Sequence, residues 1–163
     1  MDVASGVAEV NGAKLYYESA GRGPAVVCLN GGGLDCRMWD DQFAAFAELY
    51  RIVRYDYRGS GRSEPATENF SHLEDLAELL DFLKVDVAIL AGASAGAALA
   101  MDYTLANPKR VRGLVLSSPG LSGHQLSEAN QKRIAAMLAA AREGNALEFA
   151  KKVLDDPHFI PAT

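Results

Sequence analysis

A serine flanked by glycines is the feature of this sequence with the clearest potential for chemistry. Ser94 is the centre of a Gly-Ala-Ser-Ala-Gly pentapeptide, residues 92–96, which follows an apolar run and opens an alanine-rich one. Where a G-x-S-x-G sequence joins a strand to a helix, the serine lies on a strained turn with its hydroxyl exposed. Glycine and alanine suit such a turn because the helix backbone passes close to neighbouring strands. We therefore predict that Ser94 is a nucleophile at the carboxyl end of a strand.

The same pentapeptide is also compatible with two roles that involve no nucleophile. It could be an ordinary glycine-rich turn that contains a serine by chance, or it could be a phosphate-binding loop. A Walker loop ends in Gly-Lys followed by Ser or Thr, and a dinucleotide-binding loop carries G-x-G-x-x-G after the first strand. Residues 92–96 match neither pattern. Two neighbouring motifs favour the nucleophile.

A run of three glycines supplies the second part of a candidate site for acyl transfer. Residues 30–33 read Asn-Gly-Gly-Gly and follow an apolar run. Glycines here let backbone N–H groups turn toward a point beside the nucleophile, where they would stabilise a tetrahedral oxyanion. We expect one donor to be the N–H of Gly32 and the other to be the N–H of Ala95, at a helix N-terminus. The third motif, D-Y-R-G-S-G-R-S at residues 56–63, directly follows the next apolar run.

The elements that must position these residues alternate between strands and helices. Residues 7–10 and 13–18 alternate in polarity around Asn11-Gly12, the dipeptide most typical of a β-hairpin turn. Apolar runs predict four further strands, at residues 25–29, 51–55, 85–90 and 111–116. Helical patterns cover residues 40–49, 71–83, 95–106, 125–142 and 146–154.

This order of elements predicts an α/β fold. Strands joined through helices by right-handed crossovers form a mostly parallel, doubly wound sheet with helices on both faces. The antiparallel hairpin precedes that sheet, and after residues 117–120 the pattern is helical only. We divide the chain into a core over residues 1–122 and a helical appendage over residues 123–163.

Together the three motifs resemble the α/β-hydrolase superfamily. The glycine-rich oxyanion loop, the D-x-R-G-x-G-x-S segment and the G-x-S-x-G elbow occur in that family's order across roughly residues 10–120. The sequence is most similar to small esterases, enol-lactonases and proline iminopeptidases. The resemblance implies a partial α/β-hydrolase fold in which residues 123–163 begin an incomplete helical cap. It specifies the superfamily but not the substrate.

The sequence departs from the family pattern in two respects. The oxyanion loop usually begins with His-Gly, whereas Asn30 takes the place of the histidine here; we expect the loop to survive because an amide can also bind backbone groups. The family's catalytic residues follow the order nucleophile, acid, histidine. Residues 117–120 read Ser-Ser-Pro-Gly, without a carboxylate, and no strand pattern follows them. We therefore expect the chain to stop within the cap, before the acid and the histidine.

Three histidines remain as sources of a general base, which a serine nucleophile needs within hydrogen-bond reach. His72 opens a predicted helix, and we place it at the wrong edge of the sheet. His158 lies near the frayed terminus. His124 follows the strand next to the elbow and is the plausible internal candidate, although an exposed loop histidine is the simpler interpretation.

Composition limits the classes of function. The chain has 163 residues, of which 49% are hydrophobic and 23% charged, and this balance is typical of one soluble globular domain. A net charge of −5 without a Lys/Arg cluster argues against nucleic acid or a membrane as partner. The N-terminus lacks a signal-peptide pattern, so we expect a cytoplasmic protein. Cys28 and Cys36 lack metal-site spacing, so we expect free thiols and neither a metal nor an organic cofactor.

The resulting hypothesis is a serine-nucleophile hydrolase of an ester, lactone or amide, with a small-molecule carbonyl substrate and weak or no turnover by the isolated chain. One rival is a non-catalytic binding protein that retains the pocket, and another is a fragment completed by a missing half. We also expect self-association, because strand 111–116 would form an open sheet edge. The predicted apolar stripe that would be uncovered with it consists of Leu126, Ile134, Met137 and Leu138.

Overall fold

A computed structural model of the chain describes residues 2–66, 69–123, 127–142 and 145–154. The strands in these ranges are β1 (Val3–Val10), β2 (Ala13–Ala20), β3 (Ala25–Leu29), β4 (Arg51–Tyr55), β5 (Ala88–Ala93) and β6 (Val111–Ser117). The helices are α1 (Asp40–Phe46), α2 (His72–Phe82), α3 (Ala95–Ala106), α4 (Glu128–Arg142) and α5 (Ala146–Leu154). Short 3-10 helices cover Cys36–Trp39 and Pro108–Arg110.

The strands form one mixed sheet in the order β1-β2-β4-β3-β5-β6. β1 pairs with β2, and β2 with β4, in antiparallel orientation, whereas β4, β3, β5 and β6 are parallel. The turn between β1 and β2 has positive φ at both Asn11 (46°) and Gly12 (71°), as an Asn-Gly hairpin turn requires. The predicted α/β class, the mostly parallel sheet and the N-terminal hairpin are confirmed.

The direction of winding reverses beside β3. From β3 the chain crosses to β4 on one side, and from β4 it returns to β5 on the other side of β3. The loops that leave β3 and β5 therefore diverge, and in such sheets ligands bind in the crevice between diverging loops. Leu29 of β3 is in register with Gly92 of β5, so the glycine loop and Ser94 emerge from the sheet at the same level.

Apolar side chains cover both faces of the parallel strands because successive residues of a strand point to opposite sides. On one face Val27, Val53 and Leu90 pack with helix residues such as Leu76 and Tyr103. On the other face, a smaller cluster packs beneath α1, and its members are Ala20, Val26, Cys28, Phe43, Ala47, Ile52 and Ala91. Helices thus lie on both faces, as predicted.

A buried ion pair fastens α2 to the loop after β4 and to the hairpin turn. The Arg58 guanidinium donates to both carboxylate oxygens of Asp75, at 2.8 and 2.7 Å, and the two side chains are 3% and 1% exposed. The amide of Asn11 donates to the same Asp75 carboxylate at 2.7 Å. Removing one member would leave the other charge buried without a partner, so the network fixes these three segments together.

Several predicted boundaries are wrong. Strand β1 begins at Val3 rather than at residue 7, and β2 extends to Ala20 rather than to residue 18. The elbow strand covers Ala88–Ala93 rather than residues 85–90, because Lys84 has a positive φ of 55° and the N–H of Val85 still donates to Leu80 of α2. Val85 is buried next to the end of α2 and does not pair in the sheet. Its apolar character therefore reflects packing at the end of the helix. Helix α1 ends at Phe46 rather than at residue 49, and Leu49 is 72% exposed.

The chain divides into two compact units, Met1–Ser122 and Gly123–Thr163. In the second unit the described residues form α4 and α5, which pack on each other. The start that we predicted for α4, at residue 125, lies outside the described residues. None of the helices in the described ranges has the length and apolar character to cross a membrane.

Candidate active site

Ser94 lies at the junction that its sequence context predicts. It separates the last residue of β5, Ala93, from the first residue of α3, Ala95, and its backbone has φ 52° and ψ −111°. Positive φ is strained for a residue with a side chain, and strain of this kind recurs at functional sites. Ser94 is exposed, and its N–H donates to the carbonyl oxygen of Ser117 at 2.9 Å, which anchors the turn to β6.

The two glycines of the pentapeptide permit the close packing of α3 on the sheet. A Cβ atom on Gly92 would lie 2.5 Å from the carbonyl oxygen of Gly96, and one on Gly96 would lie 2.2 Å from that of Leu29. Neither distance leaves room for a methyl group. The small residues are therefore needed to bring the helix N-terminus against the end of β3, beside the glycine loop.

The proposed oxyanion donors are neighbours. A Cβ atom on Gly32 would lie 3.6 Å from the Cβ of Ala95, in ordinary van der Waals contact, and both residues are exposed. In the described part of the chain no acceptor binds the N–H of either residue. A pair of unoccupied backbone donors next to an exposed serine is the arrangement that acyl transfer requires.

The D-Y-R-G-S-G-R-S segment supports this region rather than lining it. The buried Asp56 carboxylate accepts hydrogen bonds from the N–H of Cys36 at 2.7 Å and of Arg62 at 2.8 Å. A Cβ on Gly61, where φ is 52°, would lie 2.1 Å from that carboxylate, so glycine is required. Ser63 donates to the carbonyl oxygen of Asp56 at 2.7 Å. The segment thus fastens its own loop to the 3-10 helix that follows the glycine loop.

Both cysteines are free, as expected, and both are buried. Burial raises the pKa of the Cys28 thiol to about 12. Burial also raises the pKa of the Cys36 thiol to about 12, with the Asp56 carboxylate as a second cause. Neither thiol is ionised near neutral pH, so neither competes with Ser94 as a nucleophile. Within the described ranges, no group of three His, Cys, Asp or Glu side chains converges in a way that could hold a metal ion.

Comparison with known proteins agrees with this geometry. Residues 26–163 match the model of the Alpha/beta hydrolase family. The chain belongs to the alpha/beta hydrolase family. It is 30% identical over 140 residues to an uncharacterized hydrolase of Bacillus subtilis, covering 80% of this chain and 52% of the relative. It is 36% identical over 109 residues to a proline iminopeptidase of Arabidopsis thaliana, covering 63% of this chain and 29% of the relative.

Solved structures of other hydrolases share the fold. An epoxide hydrolase of Vigna radiata superimposes with a TM-score of 0.72 at 28% sequence identity, over 82% of this chain and 44% of that one. The chain thus spans about half, or less, of the length of the proteins it matches.

Asn30, at the start of the glycine loop, makes a backbone hydrogen bond, as expected of an amide at this position. The Asn30 amide donates to the carbonyl oxygen of Tyr55 at 2.7 Å and accepts from the indole N–H of Trp39 at 3.1 Å. The sequence does not point to Trp39. Its polar atom meets Asn30 only through the folded loop, and no local motif marks it.

The prediction that His72 lies at the wrong edge of the sheet is wrong. Helix α2 follows β4, and a helix after a parallel strand begins where that strand ends, at the carboxyl edge that also holds Ser94. The His72 ring lies 5.0 Å from the ring of Tyr57, whose hydroxyl donates to the carbonyl oxygen of Asn30.

No hydrogen bond joins Ser94 Oγ to any described residue. The other two histidines, His124 and His158, lie outside the described residues.

Proposed function

We propose that this chain carries the nucleophile and the oxyanion donors of a serine hydrolase that acts on a small-molecule ester, lactone or amide. The observation that carries the proposal is the strained, exposed Ser94 beside two unoccupied backbone donors, at the point where the winding of the sheet reverses. The pairing of a nucleophile with preformed donors suits attack on a carbonyl group.

The chemistry of the proposal is acyl transfer in two steps. Ser94 Oγ forms a bond to the carbonyl carbon, its proton passes to a general base, and the N–H groups of Gly32 and Ala95 stabilise the oxyanion. Collapse of this intermediate breaks the bond to the leaving alcohol or amine, which takes the proton from the base. Water then attacks the Ser94 ester by the same route, releases the acid and restores the hydroxyl.

A carbonyl substrate is favoured over an epoxide by the identity of the nucleophile. If Ser94 opened an epoxide, the product would be an alkyl ether of serine, which has no carbonyl carbon for water to attack. Acylation gives an ester, and the same two N–H groups stabilise the intermediate of its hydrolysis. Turnover through Ser94 therefore needs an acyl group, as in the iminopeptidase relative, whose name denotes an amide substrate.

The first prediction tests Ser94 directly. We expect a fluorophosphonate probe to label the chain at Ser94, slowly because no described residue binds the Ser94 hydroxyl as a general base, and peptide mass spectrometry identifies the labelled residue. Ser94→Ala should abolish labelling because no other described serine adjoins the two donors. We expect p-nitrophenyl acetate to acylate the same residue.

Ser118→Ala is the matched control. Ser118 is also exposed, also has a positive φ (47°) and follows the neighbouring strand β6, but it lies outside the glycine-flanked turn. This variant should be labelled like the unmodified chain. Equal labelling of the Ser94→Ala variant, or no labelling of the unmodified chain, would contradict the proposal, and the second result would favour a non-catalytic binding protein.

A further inference from the structure

The Asn30 side chain has an orientation that its partners determine chemically. Its amide nitrogen donates to the carbonyl oxygen of Tyr55, and its amide oxygen accepts from the indole N–H of Trp39. A carbonyl oxygen can only accept and an indole N–H can only donate, so the amide cannot be turned over. Asn30 is fully buried, at 0% exposure, where a lost partner is costly.

The backbone of Asn30 contacts the first turn of α3, the helix that carries Ala95. Its carbonyl oxygen accepts from the Tyr57 hydroxyl at 3.1 Å. Burial raises the pKa of Tyr57, so this hydroxyl remains a donor. A Cβ atom on Gly96 would lie 2.5 Å from the same carbonyl oxygen, which places the first turn of α3 directly against Asn30. One residue thus touches the helix that carries Ala95 and lies two positions before Gly32.

The partners of Asn30 are themselves held in place. Trp39 ends the 3-10 helix Cys36–Trp39, whose first N–H donates to the buried Asp56 carboxylate. Met38, in the same turn, accepts a weak hydrogen bond through its sulfur from the N–H of Gly31 at 3.2 Å. The N–H of Gly31 is therefore occupied within the loop, whereas that of Gly32, one residue later, has no acceptor among the described residues.

We infer that Asn30 is a positioning residue that sets the separation of the Gly32 and Ala95 donors through its bonds to Tyr55 and Trp39. The inference rests on the proposed function. Asn30 does not touch the reacting atoms. It acts by holding the glycine loop against the first turn of α3, so that both N–H groups point at one oxygen. An error of about 1 Å in such geometry lowers the rate of a chemical step by roughly a hundredfold.

One partner of the Asn30 amide can only accept a hydrogen bond and the other can only donate one, so each substitution is expected to affect these two bonds differently. In Asn30→Asp a carboxylate can still accept from Trp39 but would repel the carbonyl oxygen of Tyr55. In Asn30→His a neutral imidazole offers one donor and one acceptor, whereas its protonated form offers two donors and no acceptor for Trp39. In Trp39→Phe an aromatic ring remains, but the indole N–H is lost, so the amide oxygen of Asn30 loses its donor.

The second prediction concerns the rate at which the fluorophosphonate probe phosphonylates Ser94 in the whole chain. The maximal rate reports the chemical step, and the half-saturating probe concentration reports binding. Asn30→Asp and Trp39→Phe should lower the maximal rate about tenfold or more, with the half-saturating concentration changed less than about threefold. Asn30→His should recover most of the rate at pH 8. Its rate relative to the unmodified chain should then fall as the pH drops through the histidine pKa, about 6.5 in its unperturbed state.

Asn107→Asp serves as the control, because the Asn107 amide donates to the Tyr103 carbonyl at the far end of α3 and the variant should keep the normal rate. Fluorescence of Trp39, the single tryptophan, should shift in Asn30→Asp and not in Asn107→Asp. Thermal unfolding identifies variants that fail to fold; Trp39→Phe then provides the test. Unchanged rates in folded Asn30→Asp and Trp39→Phe would contradict the inference while leaving the proposed function intact. Absence of Ser94 labelling in the unmodified chain would overturn both.

Discussion

At the level of single residues, the turn at Ser94 depends on glycine, which has no side chain. Gly96 lies in the first turn of α3, where alanine would otherwise stabilise the helix by about 1 kcal/mol. Its Cα instead faces the carbonyl oxygens of Leu29 and Asn30, and a Cβ would approach them to 2.2 and 2.5 Å. Both contacts are with backbone atoms, which cannot move aside as a flexible side chain can. The close approach therefore outweighs helix propensity at this position.

The third prediction follows from this contact. Gly96→Ala should lower the free energy of unfolding by about 1–3 kcal/mol, the usual cost of overpacking, and should slow labelling of Ser94 because α3 is displaced from the glycine loop. Urea denaturation measures the first effect. Gly113→Ala in β6 is the matched control, since a Cβ there would meet nothing within 4 Å. Equal stability of the two variants would show that α3 can shift without cost.

At the level of elements, the first turn of α2 is organised around a half-buried histidine. Ser71 caps the helix by accepting from the N–H of Glu74 at 3.3 Å. His72 packs between the rings of Tyr57 and Phe70, at centroid distances of 5.0 and 4.9 Å, and its Nδ1 has no partner among the described residues. A positive charge is unfavourable there, because the N-terminus of a helix already carries partial positive charge.

The fourth prediction concerns the pH dependence of stability. Burial lowers the pKa of His72, and the charge of Arg58 adds to this effect while that of Asp75 opposes it. The folded chain therefore prefers neutral His72, so its contribution is complete above the unfolded pKa of about 6.5 and is lost as pH falls below it. His72→Phe keeps an aromatic ring at this position and removes the titratable imidazole. Its unfolding free energy should depend less on pH between about 7.5 and 5.5 than that of the unmodified chain. Parallel pH profiles would contradict this role.

At the level of the whole molecule, the described sheet has two outer strands, β1 and β6. β6 pairs only with β5 in the described residues, as the sequence led us to expect, and Val115 on it is 62% exposed. In the predicted apolar stripe, Ile134 is 37% exposed; Leu126 and the side chains of Met137 and Leu138 lie outside the described part of the chain. An outer strand with exposed apolar side chains offers backbone groups for pairing with another chain.

The fifth prediction is that the isolated chain self-associates through β6 at micromolar concentration. We propose Val115→Lys as the test, because a charge on an outer strand opposes pairing and the side chain is already exposed. Sedimentation velocity should show a smaller average mass for this variant. Leu49→Lys is the control, since Leu49 is 72% exposed in the connection between α1 and β4. A monomeric unmodified chain, or equal effects of both substitutions, would exclude association through β6.

Local sequence was sufficient for the features that depend on one segment at a time. The hairpin at Asn11-Gly12 and the junction at Ser94 were predicted because turn chemistry and small residues constrain the backbone within a few positions. The boundary of β5 was not, because Val85 is apolar for helix packing as well as for a strand, and the two causes look alike in a sequence.

The arrangement around the site was decided by tertiary structure. Asn30 meets Tyr55 and Tyr57 across sequence separations of 25 and 27 residues, and no short-range pattern encodes such contacts. His72 was misplaced although the predicted order of strand and helix already sets the start of α2 at the carboxyl edge; what the structure adds is its contact with the ring of Tyr57. The sequence by itself predicted the residues that we propose attack a carbonyl group and stabilise its oxyanion. Only the sheet order, which sets β3 beside β5, brought Gly32 and Ala95 together, because pairing of distant strands depends on the packing of the whole core.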